Sequence, residues 1–330
     1  MESPQNIKKR LKSVNNVSKI TKAMEMVSAT KMRKSQQIAL DSRPYSFAAL
    51  DFLATISKLD QKLPVLFEVR KIKKVLFVIV ASDKGLAGAF NSSVFKKFEQ
   101  HIKQDKDNVK HTNEEKLYVA VGEKSFAYLS KKGFNVLKKF NNIGDYTAPE
   151  EVKPLADYLI KGYIDKSWDR VIIVSTHFRS ALKQEPHVRR ILPIDFAHIA
   201  DTIKEIIPEH GKFADLIKEH KLIFAGIKNS KALPQISDQR TNGIKTQYTI
   251  EPKPEKVLEK LAEHLFFMQV YHLILETNAS EHSARRMAMK TASDNAEDLA
   301  NKLNLEYNKS RQSKITTEIS EISAGAEAQS

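Results

Sequence analysis

The sequence predicts an α/β protein whose central sheet is bracketed in the chain by a long helix at each end. Three observations carry that expectation. No Gly or Pro lies between Pro4 and Pro44, and after Pro254 none appears for 70 residues, until Gly325, so helix breakers are missing where long helices would run. Apolar residues in both stretches recur at spacings of three and four. Between them, short β-branched runs alternate with helical patterns, the grammar of a sheet with crossovers.

Each element follows from its own residues. Over 1–60, Ile7, Leu11, Val14, Val17, Ile20, Met24 and Val27 form one apolar stripe, with Pro4 suited to the first helical turn. Lys8, Lys12, Lys19, Lys22 and Arg33 fall within an arc of roughly 80° on the other side, at 100° per residue. Over 70–250, VLFVIVA (75–81), LYVAV (117–121) and VIIVS (171–175) suit buried parallel strands. SVFKKFEQHIK and PEEVKPLADYLIKGYI read as the helices between them, and QDKDNVKHTNEEK as a surface loop. Between Phe196 and Thr249 the pattern offers a helix near 200–219 and a strand LIFAGI.

The last segment, 254–330, carries a 3.5-residue series: Leu261, Leu265, Met268, His272, Leu275, Ala279, His282, Arg286, Met289, Ser293, Ala296, Ala300, Leu303 and Tyr307. Ten of these fourteen are apolar, and a series that long argues for a left-handed coiled coil. A helix of about 55 residues would be about 80 Å long. Ala284, Ala288, Ala292, Ala296 and Ala300 supply small residues that let a second helix approach closely.

At 330 residues the chain has length for about two domains. Its 54 Lys and Arg against 40 Asp and Glu give a net charge of +14, which favours an acidic partner. Residues 1–43 carry +7 of this, ten basic minus three acidic side chains. Nucleic acid is disfavoured because this first helix has no aromatic residue before Tyr45 on which bases could stack. With no cysteine at all, disulfides, thiolate nucleophiles and thiolate metal sites are excluded. The N-terminus has no apolar run of signal-peptide length, and the longest apolar stretch, Val75 to Ala81, falls far short of the ~20 residues needed to span a bilayer.

Catalytic and cofactor signals are weak. SDKGLAGAFN follows a strand as phosphate loops do, but it has only Gly85 and Gly88 and lacks the spacing of either glycine-rich nucleotide motif; a structural turn competes with a nucleotide site there. His264, His272 and His282 are eight and ten residues apart, which does not make an i,i+4 metal pair. No G-x-S-x-G elbow is present. The expectation is a protein without catalytic residues, cofactor or metal.

Two segments carry more than pattern. KITKAMEMVSATKMRKSQ near the start, and ETNASEHSARRMAMKTASDNAEDLANKLNLEYNKSRQSKITTEISEISAGAEA at the end, resemble the two most diagnostic regions of the gamma subunit of F-type ATP synthases. SDKGLAGAFN, THFRSALKQEP and YTIEPKPEKVL resemble that family's central motifs in the expected order, and the resemblance runs from about residue 5 to residue 328. It implies a Rossmann-like central domain and terminal helices paired as an antiparallel coiled coil. It implies a non-catalytic rotor shaft, one copy per ring of three alpha and three beta subunits, meeting the epsilon subunit and the membrane ring of c subunits at its base. It further implies a peripheral place on the cytoplasmic face of the bacterial plasma membrane.

By motif position the resemblance implies ring contacts at Met24, Lys31 and Arg33 on the first helix and at Arg311, Gln312, Thr316, Glu318 and Glu321 on the last. It places Ala324, Gly325, Ala326 and Ala328 in an apolar bearing; read as a bare pattern, Gly325 is a helix stop. The chain departs from the family at Thr317, where Gln is common, at His177, where Asn is common, and over 196–247, longer than in typical bacterial members. Two other readings stay open on the residues alone. A basic coiled-coil scaffold with an α/β head would share the periodicity, and a nucleotide-using enzyme would need the phosphate loop or acid–base constellation that is missing.

Overall fold

The computed structural model describes residues 3–41, 64–107, 114–143, 147–195 and 253–327. Its elements in chain order are α1 (Pro4–Asp41), β1 (Lys74–Val80), α2 (Phe90–Asp107), β2 (Glu115–Val121), α3 (Glu123–Lys131), β3 (Val136–Phe140), α4 (Pro149–Ile164), β4 (Arg170–Phe178), β5 (Gln184–Leu192) and α5 (Pro254–Glu327). The expected helix near 200–219 and the strand LIFAGI lie outside the described residues, as do 42–60 of the first segment.

The strands form one sheet in the order β3-β2-β1-β4-β5. β1 pairs in parallel with β2 and with β4, and β2 pairs in parallel with β3. β5 runs antiparallel to β4, with Ser175 opposite His187. The sheet is therefore mixed: an antiparallel edge strand closes an otherwise parallel α/β sheet. β1 lies at its centre, and its sequence KVLFVIV shows why. Leu76, Val78 and Val80 point into one core layer, together with residues of α4 and α5, while Val75, Phe77 and Ile79 point into the other, with Val94 and Phe98 of α2 and Leu129 of α3. A strand buried on both faces must be apolar at every position, so its period-2 signal disappears.

Local chemistry fixes the helices around this sheet. α4 opens with Pro149, whose missing N–H costs nothing in the first turn, and Glu151 Oε2 accepts the Ala148 N–H at 3.2 Å. Near its end Gly162 makes room for Trp168: a Cβ built on Gly162 would lie 2.0 Å from the Trp168 ring. The indole N–H of Trp168 donates to the Leu159 carbonyl at 3.1 Å.

The described chain divides into two compact units, Lys31–Ala284 and a second made of residues 1–30 with Arg285–Ser330. The first holds the sheet and its helices. The second holds the parts of α1 and α5 that pair with each other.

Candidate functional site

In α5, every residue of the 3.5-residue series is buried or half-buried, from Leu261 through Tyr307. Within the helical unit, Met289, Ser293, Ala296, Ala300 and Leu303 form its seam. In α1 the seam departs from the apolar stripe read in the sequence. The side chains turned inward are Ile7, Leu11, Val14, Ser18, Thr21, Glu25, Ser28, Met32 and Ser35, again spaced by three and four. Val17, Ile20 and Val27, expected on the buried stripe, are 48%, 59% and 54% exposed.

The physical reason is the pitch. The apolar run from Ile7 to Val27 advances about 3.3 residues per step and so drifts around the helix, whereas contact with a supercoiled partner must follow 3.5. From Ser18 onward the seam follows the partner rather than the apolar residues. Burying the hydroxyls of Thr21 and Ser28 is cheap because the helix satisfies them itself: Thr21 Oγ1 donates to the Val17 carbonyl at 2.9 Å and Ser28 Oγ to that of Met24 at 2.7 Å. The hydroxyl of Ser293 reaches the Ser18 carbonyl across the pair at 3.5 Å.

The seam of α5 fades after Ser310, and residues 311–324 are exposed throughout. With Ser18 level with Ser293, an antiparallel α1 starts at Pro4 alongside the stretch in which burial on α5 ceases. That agrees with the expected antiparallel pair. Beyond it, Ile315, Ile319 and Ile322 form an exposed apolar line at helical spacing.

The residues expected to touch a partner distribute as follows. On α1, Met24 and Lys31 are half-buried and Arg33 is exposed; on α5, Arg311, Gln312, Thr316, Glu318, Glu321 and Ala324 are exposed. Thr316 returns its hydroxyl to the Gln312 carbonyl at 3.0 Å, and Lys314 lies 3.5 Å from Glu318. The helix does not stop at Gly325; it passes through Gly325 and Ala326 to Glu327. One mid-helix Gly costs only about 1 kcal/mol relative to Ala, and alanines on either side favour the helix. Ala328 lies outside the described residues.

The basic face of α1 is present: Lys8, Lys12, Lys19, Lys22 and Arg33 are all exposed. Lys22 donates to Glu25 Oε2 at 3.0 Å. That bond holds its pKa above the ordinary lysine value, with smaller contributions from Asp294 and Glu297 of α5.

The loop SDKGLAGAFN lies at the carboxyl end of β1, where the strand order turns back toward β4. That is where α/β sheets bind ligands; here Asp83 of the loop ties it to the segments that follow β2 and β3. Asp83 Oδ1 accepts the Glu123 N–H at the start of α3 at 3.0 Å, and its Oδ2 accepts the Asn142 N–H at 3.1 Å. A carboxylate of this loop thus caps the N-terminus of α3, the helix that follows β2. Ser82 and Asn91 bond to each other across the loop at 2.8 Å. Gly122 carries φ +90, and a Cβ there would lie 2.1 Å from the Ala81 carbonyl oxygen. Among the described residues no group of three His, Asp or Glu side chains could hold a metal ion, and no helix is long and apolar enough to cross a membrane.

Sequence reasoning missed a polar seat for α5 in the sheet-bearing unit. His177 Nδ1 lies 3.1 Å from Glu276 Oε2, and Arg189 lies 3.8 Å from the same oxygen. Thr277 Oγ1 accepts the Thr176 N–H at 3.2 Å. Ser283 Oγ donates to the Ala181 carbonyl at 2.8 Å. Tyr271 donates to the Thr147 carbonyl at 2.9 Å, and the Asn278 amide to Thr147 Oγ1. The only sequence signal was several polar residues in an otherwise apolar stretch of α5.

A mixed α/β sheet, one helix long enough to pair with α1 and continue past it, and an exposed end on that helix are the features of the fold. The chain belongs to the ATP synthase family, whose model matches residues 3–329. It is 33% identical over 331 residues to the ATP synthase gamma chain of Roseiflexus castenholzii, covering 99% of each chain. To that of Opitutus terrae it is 34% identical over 326 residues, covering 98% of each. Its fold is similar to a chain in the OSCP/F1/c-ring structure of the Euglena gracilis mitochondrial ATP synthase, with TM-score 0.59, 20% identity, and coverage of 99% of this chain and 94% of that one. It is also similar to a chain in the central stalk and c-ring structure of the Tetrahymena thermophila enzyme, with TM-score 0.53, 21% identity, and coverage of 83% and 99%.

Proposed function

We infer that this chain is the central rotor shaft of an ATP synthase, coupling proton-driven rotation of a c-ring to conformational changes in catalytic beta subunits. Whole-length likeness to ATP synthase gamma chains supports this reading. The single structural observation that carries it is α5 itself: a helix of 74 residues, paired with α1 over part of its length and wholly exposed from 311 to 324. An unpaired helical end with an isoleucine line is useful only if something surrounds it.

In this role the shaft performs no bond chemistry and needs no cofactor. It acts by presenting different side chains to three otherwise identical beta subunits as it turns. Only a contact energy that differs between orientations can bias a subunit between states of different nucleotide affinity. Met24, Lys31 and Arg33, with Arg311, Gln312, Thr316, Glu318 and Glu321, are the proposed ring contacts. The cations among them would form charge-assisted hydrogen bonds to acidic loops, bonds that break and re-form with each step. Ala324, Gly325, Ala326 and Ala328 would sit in the bearing. The partners are the alpha, beta and epsilon subunits and the c-ring, with one shaft per three alpha and three beta subunits, on the cytoplasmic face of a bacterial plasma membrane.

The test is purification of a tagged chain from solubilised native membranes. Recovery of alpha, beta, epsilon and c subunits with ATPase activity is the expected result; a chain recovered alone would overturn the assignment.

A further inference from the structure

A shaft that carries torque must not turn in its seat. Most of what holds α5 against the sheet is apolar: Leu258, Ala262, Leu265, Phe266, Val270, Ile274 and Leu275 belong to the core it shares with β1, β4 and α4. Burial of that kind is non-directional. It resists separation far better than rotation of the helix about its own axis. Directional bonds at several azimuths would resist rotation, and α5 has them. Tyr271 and Asn278 bond to Thr147 from one side, Thr277 to Thr176, and Glu276 and Ser283 to the hairpin of β4 and β5. At 3.6 residues per turn these groups point in three directions, about 120° apart.

Thr147 is singular among them. It is buried, with 1% of its surface exposed, and its φ is +47. That is a genuine outlier for a β-branched residue, and such conformations persist where the surroundings over-determine them, often for function. Here its carbonyl and its hydroxyl are both taken by α5, at residues seven apart and so nearly in line on one helix face. We propose that Thr147 is a torque-bearing positioning residue, the fixed point that stops α5 rotating about its own axis against the sheet when the shaft is loaded. The proposal rests on the rotor reading above and adds to it a place where torque crosses from the sheet-bearing unit to the helix, in the turn that leads into α4.

The experiment uses the whole complex reconstituted in vesicles, measuring protons pumped per ATP hydrolysed against an increasing proton gradient, beside thermal stability of the same preparations. Thr147→Gly relaxes the backbone while removing the hydroxyl, so stability and torque part company. The expected result is a complex at least as heat-stable as the unmodified one whose slip under load rises about fivefold, the factor set by losing roughly one net hydrogen bond. Thr147→Ser, which keeps the hydroxyl, restores coupling. A Thr147→Gly complex as tightly coupled as the unmodified one overturns the proposal. If Thr147→Gly does not assemble, Asn278→Ala removes the same bond from the helix side, and full coupling in that variant overturns the proposal equally. An unmodified chain that recovers no ATPase sinks the rotor reading and this proposal with it, whereas a coupled unmodified enzyme with an indifferent Thr147 sinks only this one.

Discussion

At the scale of single residues, two positions are decided by space and two by charge. Gly162 has no room for a methyl group because the Trp168 ring fills it. Gly162→Ala should cost about 1–3 kcal/mol through overpacking, read as a lower urea midpoint of the free chain with an unchanged slope. Tyr118 lies among aromatic rings, stacked on Phe77 at 6.0 Å and tilted against Phe134 at 4.6 Å, and burial pushes its pKa up to about 12. Because the folded protein holds that proton more tightly than the unfolded chain, whose tyrosines titrate near about 10, this contribution is complete below pH ~10 and is lost as pH climbs toward 12. Tyr118→Phe should flatten the alkaline loss of stability; an identical alkaline limb would show that another group controls it. On the acid side, the Tyr128 and Lys132 bonds hold the Glu99 carboxyl below its ordinary range, and Lys183 does the same for Glu185. Both groups favour folding above the unfolded carboxylate pKa and cease to do so as pH falls through the folded one.

At the scale of elements, burial rather than hydrophobicity decides what a side chain is worth. Leu303 and Leu305 stand two residues apart on α5, the first 2% and the second 73% exposed. Leu303→Ala should cost about 2–3 kcal/mol, and Leu305→Ala less than about 0.5 kcal/mol in the free chain, both by denaturant titration; equal costs would mean the seam has been placed on the wrong face. The same distinction explains what was legible in the sequence. The 3.5-residue series on α5 was readable because its seam is made of apolar and small residues. On α1 it was not, since Ser18, Thr21, Glu25 and Ser28 took seam positions that polarity alone would assign to solvent. The central strands announced themselves as apolar runs. β3 (VLKKF) and β5 (QEPHVRRIL) did not, because they are the two edges of the sheet, where charged side chains guard against unwanted pairing.

At the scale of the whole molecule, the proposed partner contacts have no local signature. Arg311, Gln312, Thr316, Glu318 and Glu321 look like any solvated helix face, and only the resemblance singled them out. The seat around Thr147 escaped even that, because a positive φ leaves no trace in a sequence unless a glycine or asparagine marks it. Met24 offers the direct test of the shaft surface: Met24→Lys adds a charge to a half-buried place on α1. The assembled complex should form normally and pump fewer protons per ATP hydrolysed. Unchanged pumping would remove Met24 from the contact.

The bond between Ser293 and Ser18 spans 275 positions of the chain, and this has a consequence for biosynthesis. At translation rates of roughly 5–20 residues per second, α1 leaves the ribosome roughly 15–55 s before the residues it will pair with. Throughout that interval it is an orphan, and an apolar seam would recruit neighbouring nascent chains. The hydroxyl groups of Ser18, Thr21 and Ser28 lessen the apolar surface that the waiting helix shows along its seam, and its basic face repels copies of itself.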